Sequence, residues 1–564
     1  MEKKVAIGIQ DFTEIRERNY FYVDKTAFIK EWWESGDKVT LITRPRRFGK
    51  TLNMSTLEQF FSLKYENRGE LFEGLSIWQE EKYRTLQGTY PVIALSFARV
   101  KETSFEATSY RIRKILMKQY KEYAFIQEGD VLSQGEKKDF ERMMDGMSEL
   151  EASDALYQLS DYLYRYYQKK VIILLDEYDT PMQEAWLGGF WEEIVFFMRN
   201  LFHSTFKTNP YLERAVMAGI TRVSKESVFS DLNHLRVVTT TSSKYATAFG
   251  FTQEEVFTAL EECGLGEKKE CVKQWYDGFT FGEYTDIYNP WSIINFLSDK
   301  KLGNYWANTS SNGLVSRLIR EGDSRVKEDM EVLLKGGSIR CILEEQIVYE
   351  QLMEGREAVW SLLVASGYLK VLKVEDFGEA DREGRKPWYE LALTNREVYQ
   401  VFRSLVSGWF GTTGASYNEF IRGLLLKDVD AMNEYMNRVS LQIFSTFDTG
   451  NRPSGAEPER FYHGFVLGLM VDMQKDYILT SNKESGFGRY DVMLEPRDKN
   501  KDAFILEFKV HNPRREKTLE ETVEAALAQI KEKQYETVLI TRGIRADQIY
   551  KYGLAFEGKK VLIG

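Results

Sequence analysis

The sequence predicts an α/β protein with a parallel sheet near its start, a helical middle and a second, smaller α/β unit at its end. Three observations carry that expectation. Residues 38–240 alternate short apolar runs with long amphipathic segments, the strand–helix alternation of parallel α/β folds. The run VIILL at 171–175 is continuously apolar, as a strand buried on both faces must be. The alternation returns from residue 457, after a Gly-, Pro-, Ser- and Thr-rich stretch at 444–458 that reads as a linker. The expected domains are therefore 1–240, 241–450 and 451–564.

Composition narrows the function classes. A chain of 564 residues, 43% hydrophobic and with ten prolines, has material for several cores and little for extended disorder. Cys263, Cys271 and Cys341 form no CxxC, and the four histidines are scattered, so neither a disulfide framework nor zinc chemistry is expected. No segment approaches the ~18–20 apolar residues of a membrane span. The start, MEKKVAIGIQDF, lacks the apolar core of a signal peptide. A cytoplasmic setting without a membrane partner follows as the expectation. The net charge of −10 opposes wholesale coating of nucleic acid, but residues 451–564 carry 19 Lys+Arg against 18 Asp+Glu. That last fifth is the part least repelled by polyanions.

Strands are expected at 38–43, 91–97, 171–176, 215–221 and 236–240, with helices at 107–125 and 149–168. The first strand runs into LITRPRRFGKT (41–51), where Gly49-Lys50-Thr51 opens a helix. Backbone N–H groups at such a junction point at an anion. Lys50 would reach the β- and γ-phosphates of ATP, and the Thr51 hydroxyl would hold Mg²⁺. Arg44 replaces the first Gly of GxxxxGK[ST], and with Arg46, Arg47 and Phe48 completes the loop; the three arginines are read as added positive charge around the phosphates. The strand at 171–176 ends in Asp176-Glu177. An acid there can hold Mg²⁺, and the adjacent Glu177 can polarise the attacking water. A third apolar strand ends in Thr221-Arg222. Thr221 would sense the γ-phosphate and Arg222 would stabilise transition-state charge, or the two would serve equally as a helix cap and a surface cation.

These motifs, with IGIQDFTEIRERNYFYVDKTAFI, DEYDTPMQEA, FGFTQEEV, WYDGF and YNPWSI, resemble the bacterial AAA-ATPase-like family, whose members often carry a C-terminal PD-(D/E)XK nuclease domain. The resemblance covers nearly the whole chain. It implies an ASCE-type P-loop fold, makes the missing first Gly a family trait, and suggests that YVDKT (22–26) lies near the nucleotide. Composition alone leaves Tyr22 and Asp24 as ordinary surface residues.

The C-terminal stretch FGRYDVMLEPRDKNKDAFILEFKV (487–510) reads as a β-hairpin. Glu507 and Lys509, two apart, share one face of its second strand, and Phe504, Leu506 and Phe508 share the other. Asp491 on the neighbouring strand can meet them. Two carboxylates can chelate Mg²⁺, and Lys509 can position or deprotonate a water. An E-x-K strand is also ordinary surface patterning. A helix before the hairpin (457–473), one after it (517–534) and short strands at 537–541 and 560–563 give an order that resembles the PD-(D/E)XK core. By that resemblance Glu459, Asp491 and Glu507 hold metal, Lys509 acts with them, and Gln529 lines the site. Arg489, Arg497, Lys499, Lys501, Arg514 and Arg515 flank it and would contact backbone phosphates, or form a solvated turn.

Tyr276, Phe279, Tyr288 and Trp291 form a base-stacking platform or, more often for such clusters, a structural core. The leading reading is an ATP- and Mg²⁺-dependent ATPase that licenses a fused nuclease acting on nucleic acid, DNA foremost. The alternative is a nucleotide-dependent scaffold or protein-remodelling ATPase with an inert nuclease-like domain. A homo-oligomer is allowed, but no arginine finger of a ring-forming ATPase is recognisable.

Overall fold

The structure is a computed structural model that describes residues 3–222, 234–306, 324–334, 336–344, 356–375, 386–409, 419–443, 476–485 and 488–564, with isolated positions between them. The chain forms two compact units, one of residues 1–311 and 340–398, the other of 312–339 and 399–564. It passes from one unit to the other three times.

All five strands expected near the start are present. They are β1 (Val39–Thr43), β2 (Val92–Ser96), β3 (Val171–Asp176), β4 (Leu212–Gly219) and β5 (Leu235–Val238), parallel and in the order β2-β3-β4-β1-β5. Every residue of β1 and β3 is buried, which explains their unbroken apolar runs. Helices Phe105–Glu122 and Glu149–Tyr167 begin where a serine can cap: Ser104 Oγ accepts from Ala107 N, and Ser148 with Glu151 forms a capping box. Because β4 lies between β1 and β3, the carboxyl ends of all three strands meet at one edge. Open α/β sheets bind ligands at such an edge.

Between residues 241 and 398, helices are joined by two small three-stranded sheets that the amphipathic pattern did not announce. β6 (Phe251–Thr252), β7 (Phe279–Phe281) and β8 (Tyr284–Tyr288) make the first, and β9 (Ile339–Ile342), β10 (Leu369–Glu375) and β11 (Trp388–Leu393) the second. Tyr276, Phe279 and Tyr288 are fully buried, and Tyr276 and Tyr288 pack with the helices Gln253–Glu262 and Pro290–Asp299. They are core residues, not a platform for bases.

The C-terminal sheet runs β12 (Tyr477–Ser485), β13 (Gly488–Pro496), β14 (Ala503–Val510), β15 (Ile549–Glu557) and β16 (Lys560–Ile563) in sequential order. Only β14 and β15 are parallel, joined through the helix Leu519–Glu532. Residues 537–541, expected as a strand, form the short helix Thr537–Thr541. The place beside β14 is taken by β15, so TVLIT has no ladder to join; it buries Leu539 against Ile530 and Tyr535 and leaves Ile540 exposed. Most of the helix expected at 457–473 lies outside the described residues.

Two acids of the aromatic segment carry a measurable consequence. Burial and the neighbouring Asp286 carboxylate push the Asp277 carboxyl up to about 7. A folded-state value above the unfolded one near 4 means that the native state binds the extra proton between them. Stability from this pair is therefore present below about pH 4 and lost as pH rises toward 7. Thermal melts of Asp286→Asn against the wild type should show a shallower decline across that window; identical pH profiles would refute the influence of Asp286 on Asp277.

Candidate functional site

The helix Lys50–Phe61 begins directly after the loop that leaves β1, with Arg47 and Gly49 both in the left-handed region at φ 65° and 78°. This turn aims the first helical N–H groups toward the strand ends. Lys50 is buried, and its ammonium donates to the loop carbonyls of Arg44 at 2.9 Å and Pro45 at 2.8 Å. Burial holds its pKa below the usual lysine value, against the fields of Glu177, Asp176 and Asp179. Thr51 Oγ1 donates to Asp176 Oδ2 at 2.7 Å. Asp176 is 4% exposed, and burial pushes its pKa to about 6, with the Thr51 hydrogen bond pulling the other way. A hydroxyl and a carboxylate converging at one helix N-terminus are hard oxygen donors, which fits magnesium. Glu177 stands one residue on, at φ 52°, and accepts from Thr180 Oγ1 at 2.9 Å.

A cavity of about 380 Å³ opens over the loop, lined by Arg46 to Asn53 and by Glu177, Thr180 and Gln183. Tyr22, Val23 and Lys25 of YVDKT line it as well. Lys25 is fixed there by Glu255 and by the Thr247 carbonyl, each at 2.7 Å. Asp24 faces the protein instead, accepting from Thr26 N and Ser76 N.

The three loop arginines divide. Arg46 and Arg47 line the cavity, with the Arg47 guanidinium 4.4 Å over the Trp291 ring. Arg44 does not add charge around the phosphates. Its side chain is 0% exposed, donates to the carbonyls of Thr43, Thr239 and Lys244, and lies 4.5 Å over the Phe281 ring. Without a carboxylate partner, burial lowers its pKa to about 9. Phe48 packs edge-on against Phe279 and Phe281, and the Arg46 carbonyl accepts from Asn289 Nδ2 and Trp306 Nε1. The aromatic motifs of the middle region thus back the loop.

Thr221 and Arg222 are not among the residues lining this cavity. Thr221 is buried, and its N–H and hydroxyl donate to Asp179 Oδ2 at 2.8 and 2.9 Å. Arg222 lines a smaller cleft with Thr239, Thr241 and Glu344. Asp179 is the residue that sequence reasoning missed; its signal was a second strand-end acid three positions after Asp176 in DEYD.

At the C-terminal sheet, Glu507 is 2% exposed and accepts from Gln529 Nε2, while Lys509 Nζ donates to Gln529 Oε1 at 2.6 Å. Asp491 Oδ2 accepts from Phe508 N at 2.7 Å. The β13–β14 pairing Val492↔Leu506, continued by one step, sets Asp491 opposite Glu507. Leu506 and Phe508 face the other side, in the core with Tyr552 and Leu554. Gln529 Nε2 also donates to Tyr535 Oη at 3.1 Å, a contact not anticipated. Glu459 and His463 lie outside the described residues, as does the side chain of Arg489. Among the described residues no group of three or more His, Cys, Asp or Glu side chains is placed to hold a metal. Arg497, Lys499 and Lys501 do not flank the carboxylates. They sit in the closed turn of the hairpin, at least six residues from Asp491 or Glu507 along either strand, and so roughly 20 Å away at ~3.3 Å per residue. Arg514 and Arg515 follow the other end of β14, on the side of Glu507.

One substitution separates the two roles of Arg44. Arg44→Gly, which restores the glycine of the general phosphate-loop pattern, should destabilise by ~2–5 kcal/mol, because it opens a cavity and strands buried carbonyls. Denaturant unfolding measures it; an unchanged or raised midpoint would contradict the structural role.

Residues 6–229 match the model of a family described as predicted AAA-ATPase, and residues 457–564 that of the PD-(D/E)XK nuclease superfamily. An uncharacterized protein in the vnfD 5′ region of Azotobacter chroococcum is 26% identical over 403 residues, covering 70% of this chain and 68% of that protein. A signal transduction ATPase with numerous domains and a tetratricopeptide repeat sensor, from Pyrococcus horikoshii, aligns at 13% identity and TM-score 0.25 over 79% of this chain. The match spans about half of that structure's length, 53%. The ORC2 protein of Aeropyrum pernix aligns at 10% identity and TM-score 0.24, over 68% of this chain and 92% of its own. The chain thus joins a segment that matches the predicted AAA-ATPase family model, residues 6–229, to one that matches the PD-(D/E)XK nuclease superfamily model, residues 457–564.

Proposed function

We propose that this protein is a magnesium-dependent ATPase whose nucleotide state licenses its fused nuclease domain to cleave nucleic acid, DNA foremost. The observation that carries the ATPase half is the 2.7 Å approach of Thr51 Oγ1 to Asp176 Oδ2, beside Lys50 and Glu177, under a cavity of about 380 Å³. Lys50 exchanges the carbonyls of Arg44 and Pro45 for the β- and γ-phosphates, and the first N–H groups of its helix complete the cradle. Arg46 and Arg47 add positive charge at the cavity wall. Glu177 takes the proton of the attacking water.

In the nuclease half, Gln529 holds Glu507 and Lys509 on one face, and Asp491 completes the pair of carboxylates. Lys509 orients the nucleophilic water and offsets phosphate charge. Arg514 and Arg515, beyond the end of β14, would contact the backbone of the nucleic acid. Bound magnesium would neutralise triphosphate charge at Thr51 and Asp176, and would lower the pKa of a bound water at Asp491 and Glu507. The two sites lie on separate compact units joined by three chain passages, the routes through which nucleotide state would reach the nuclease.

The test is direct. Purified protein is incubated with single- and double-stranded DNA and RNA, with and without ATP and Mg²⁺. Cleavage should need Mg²⁺, depend on ATP, and vanish in Glu507→Gln and Lys509→Ala. Cleavage that is indifferent to ATP would remove the coupling, and no cleavage of any substrate would favour an inert nuclease-like domain. Separately, Lys50→Ala should reduce ATP affinity at least ~100-fold, about 2.7 kcal/mol; equal affinity by calorimetry would remove the nucleotide site.

A further inference from the structure

We infer that Asp179 is a positioning residue of the ATPase site, fastening the kinked segment that carries Glu177 to the end of β4. This deepens the ATPase reading of the N-terminal cavity and rests on it.

Glu177 occupies the left-handed region at φ 52°. For a side chain with a Cβ that conformation costs ~1–2 kcal/mol and persists only where the surroundings over-determine it. What over-determines it lies in the next two residues. Tyr178 N donates to Ala218 O at 3.1 Å, and Tyr178 Oη donates to Thr221 O at 2.6 Å. Asp179 Oδ2 then accepts from Ile220 N at 3.0 Å, Thr221 N at 2.8 Å, Thr221 Oγ1 at 2.9 Å and Gln183 Nε2 at 2.8 Å. Four donors converge on one oxygen of a side chain that is 1% exposed. A carboxylate buried to that degree is unfavourable unless it is hydrogen-bonded, and these donors hold it against a burial effect that raises its pKa.

The two segments also touch as closely as backbone allows. A Cβ on Gly219 would stand 2.6 Å from the Tyr178 ring and 2.7 Å from Asp179 Oδ1. The Gly219 carbonyl accepts from Arg44 N at 3.1 Å, where the phosphate loop begins. A closed circuit of hydrogen bonds results. It runs from Thr51 to Asp176, through Glu177 to Asp179, across to Ile220 and Thr221, and back by Gly219 to the loop. Glu177 and Thr51 are the members of that circuit that line the cavity, and Glu177 is the carboxylate among them. Asp179 closes the side of the circuit opposite Thr51, so its loss frees the carboxylate without touching the phosphate contacts.

The experiment compares the full-length wild type, Lys50→Ala, Glu177→Gln, Asp179→Ala and Asp179→Asn, measuring ATP turnover and nucleotide affinity at saturating Mg²⁺. Asp179→Ala should lower kcat ~100-fold, the effect of an ~1 Å misplacement, while KM and nucleotide affinity stay within ~3-fold. Asp179→Asn, whose amide oxygen can accept the same donors, should recover most of that loss. A residue that only stabilised the fold would lower melting temperature and active fraction and leave kcat per folded molecule unchanged. That result, or wild-type turnover in Asp179→Ala, overturns the inference. If Asp179→Ala does not fold, Tyr178→Phe carries the test: it removes the hydroxyl that donates to the Thr221 carbonyl and should lower kcat about tenfold at constant KM. Wild-type kcat there overturns the inference equally. Failure of the ATPase reading looks different: the wild type then neither binds nor hydrolyses ATP, Lys50→Ala is indistinguishable from it, and both proposals fall together.

Discussion

Asp176 sits at the buried end of β3, and Thr51 Oγ1 is the side chain that reaches it from the helix after β1. β1 and β3 are not neighbours; β4 lies between them, which puts their backbones roughly 10 Å apart at ~4.8 Å per strand. The loop and the first turn of the helix Lys50–Phe61 must bridge that distance. A carboxylate removed from water to this extent costs several kcal/mol, and its two donors, the Thr51 hydroxyl and the Glu177 N–H, return only part of that. The raised pKa of about 6 expresses the remainder. The positive end of the helix dipole and the Lys50 ammonium act in the same sense. A hard cation beside a polyanion would relieve what they leave.

That constraint explains why much of the N-terminal part was legible. Buried parallel strands need unbroken apolar runs, and the residues that end them at a ligand edge are small or charged; both traits are local, and LITRPRRFGKT and VIILLDE display them. What was not legible depends on partners distant in the chain. Arg44 reads as a phosphate-facing cation until the carbonyls of Thr239 and Lys244, about 200 residues later, claim its guanidinium. Thr221 reads as a sensor until Asp179 takes its hydroxyl. β15 was hidden by Gly553 at its centre. A Cβ there would lie 2.7 Å from the Val523 carbonyl, so the glycine that weakens the strand pattern is what lets the helix Leu519–Glu532 approach. Arg497, Lys499 and Lys501 were misplaced because closeness in sequence to the carboxylates is not closeness along a hairpin.

The middle region accounts for the departure at Arg44. A glycine-rich loop takes its shape because its own backbone is permissive. RPRRF has no such freedom: a proline and four bulky side chains precede Gly49. Its shape is imposed from outside. Arg44 anchors one end through Thr239 and Lys244, Phe48 is wedged against Phe279 and Phe281, and Asn289 and Trp306 hold the Arg46 carbonyl. Aromatic and Asn-Pro-Trp motifs that look unrelated to nucleotide chemistry are therefore the scaffold of the phosphate loop.

The C-terminal site uses an amide where the first site uses a hydroxyl. Lys509 can only donate and an ionised Glu507 can only accept, so the Gln529 amide has one orientation that satisfies both, Oε1 toward the lysine and Nε2 toward the carboxylate. Tyr535 Oη lies within reach of the same nitrogen and accepts from it as well. An amide interposed in this way satisfies the lysine without a direct ion pair to Glu507, which would neutralise the carboxylate that a metal needs. Glu507 and Lys509 lie two residues apart on one strand face, close enough to pair directly. Gln529, brought over them by the helix between β14 and β15, is what keeps their charges separately available, and that makes the parallel β14–β15 crossover, rather than the hairpin alone, the element on which this half of the chemistry depends.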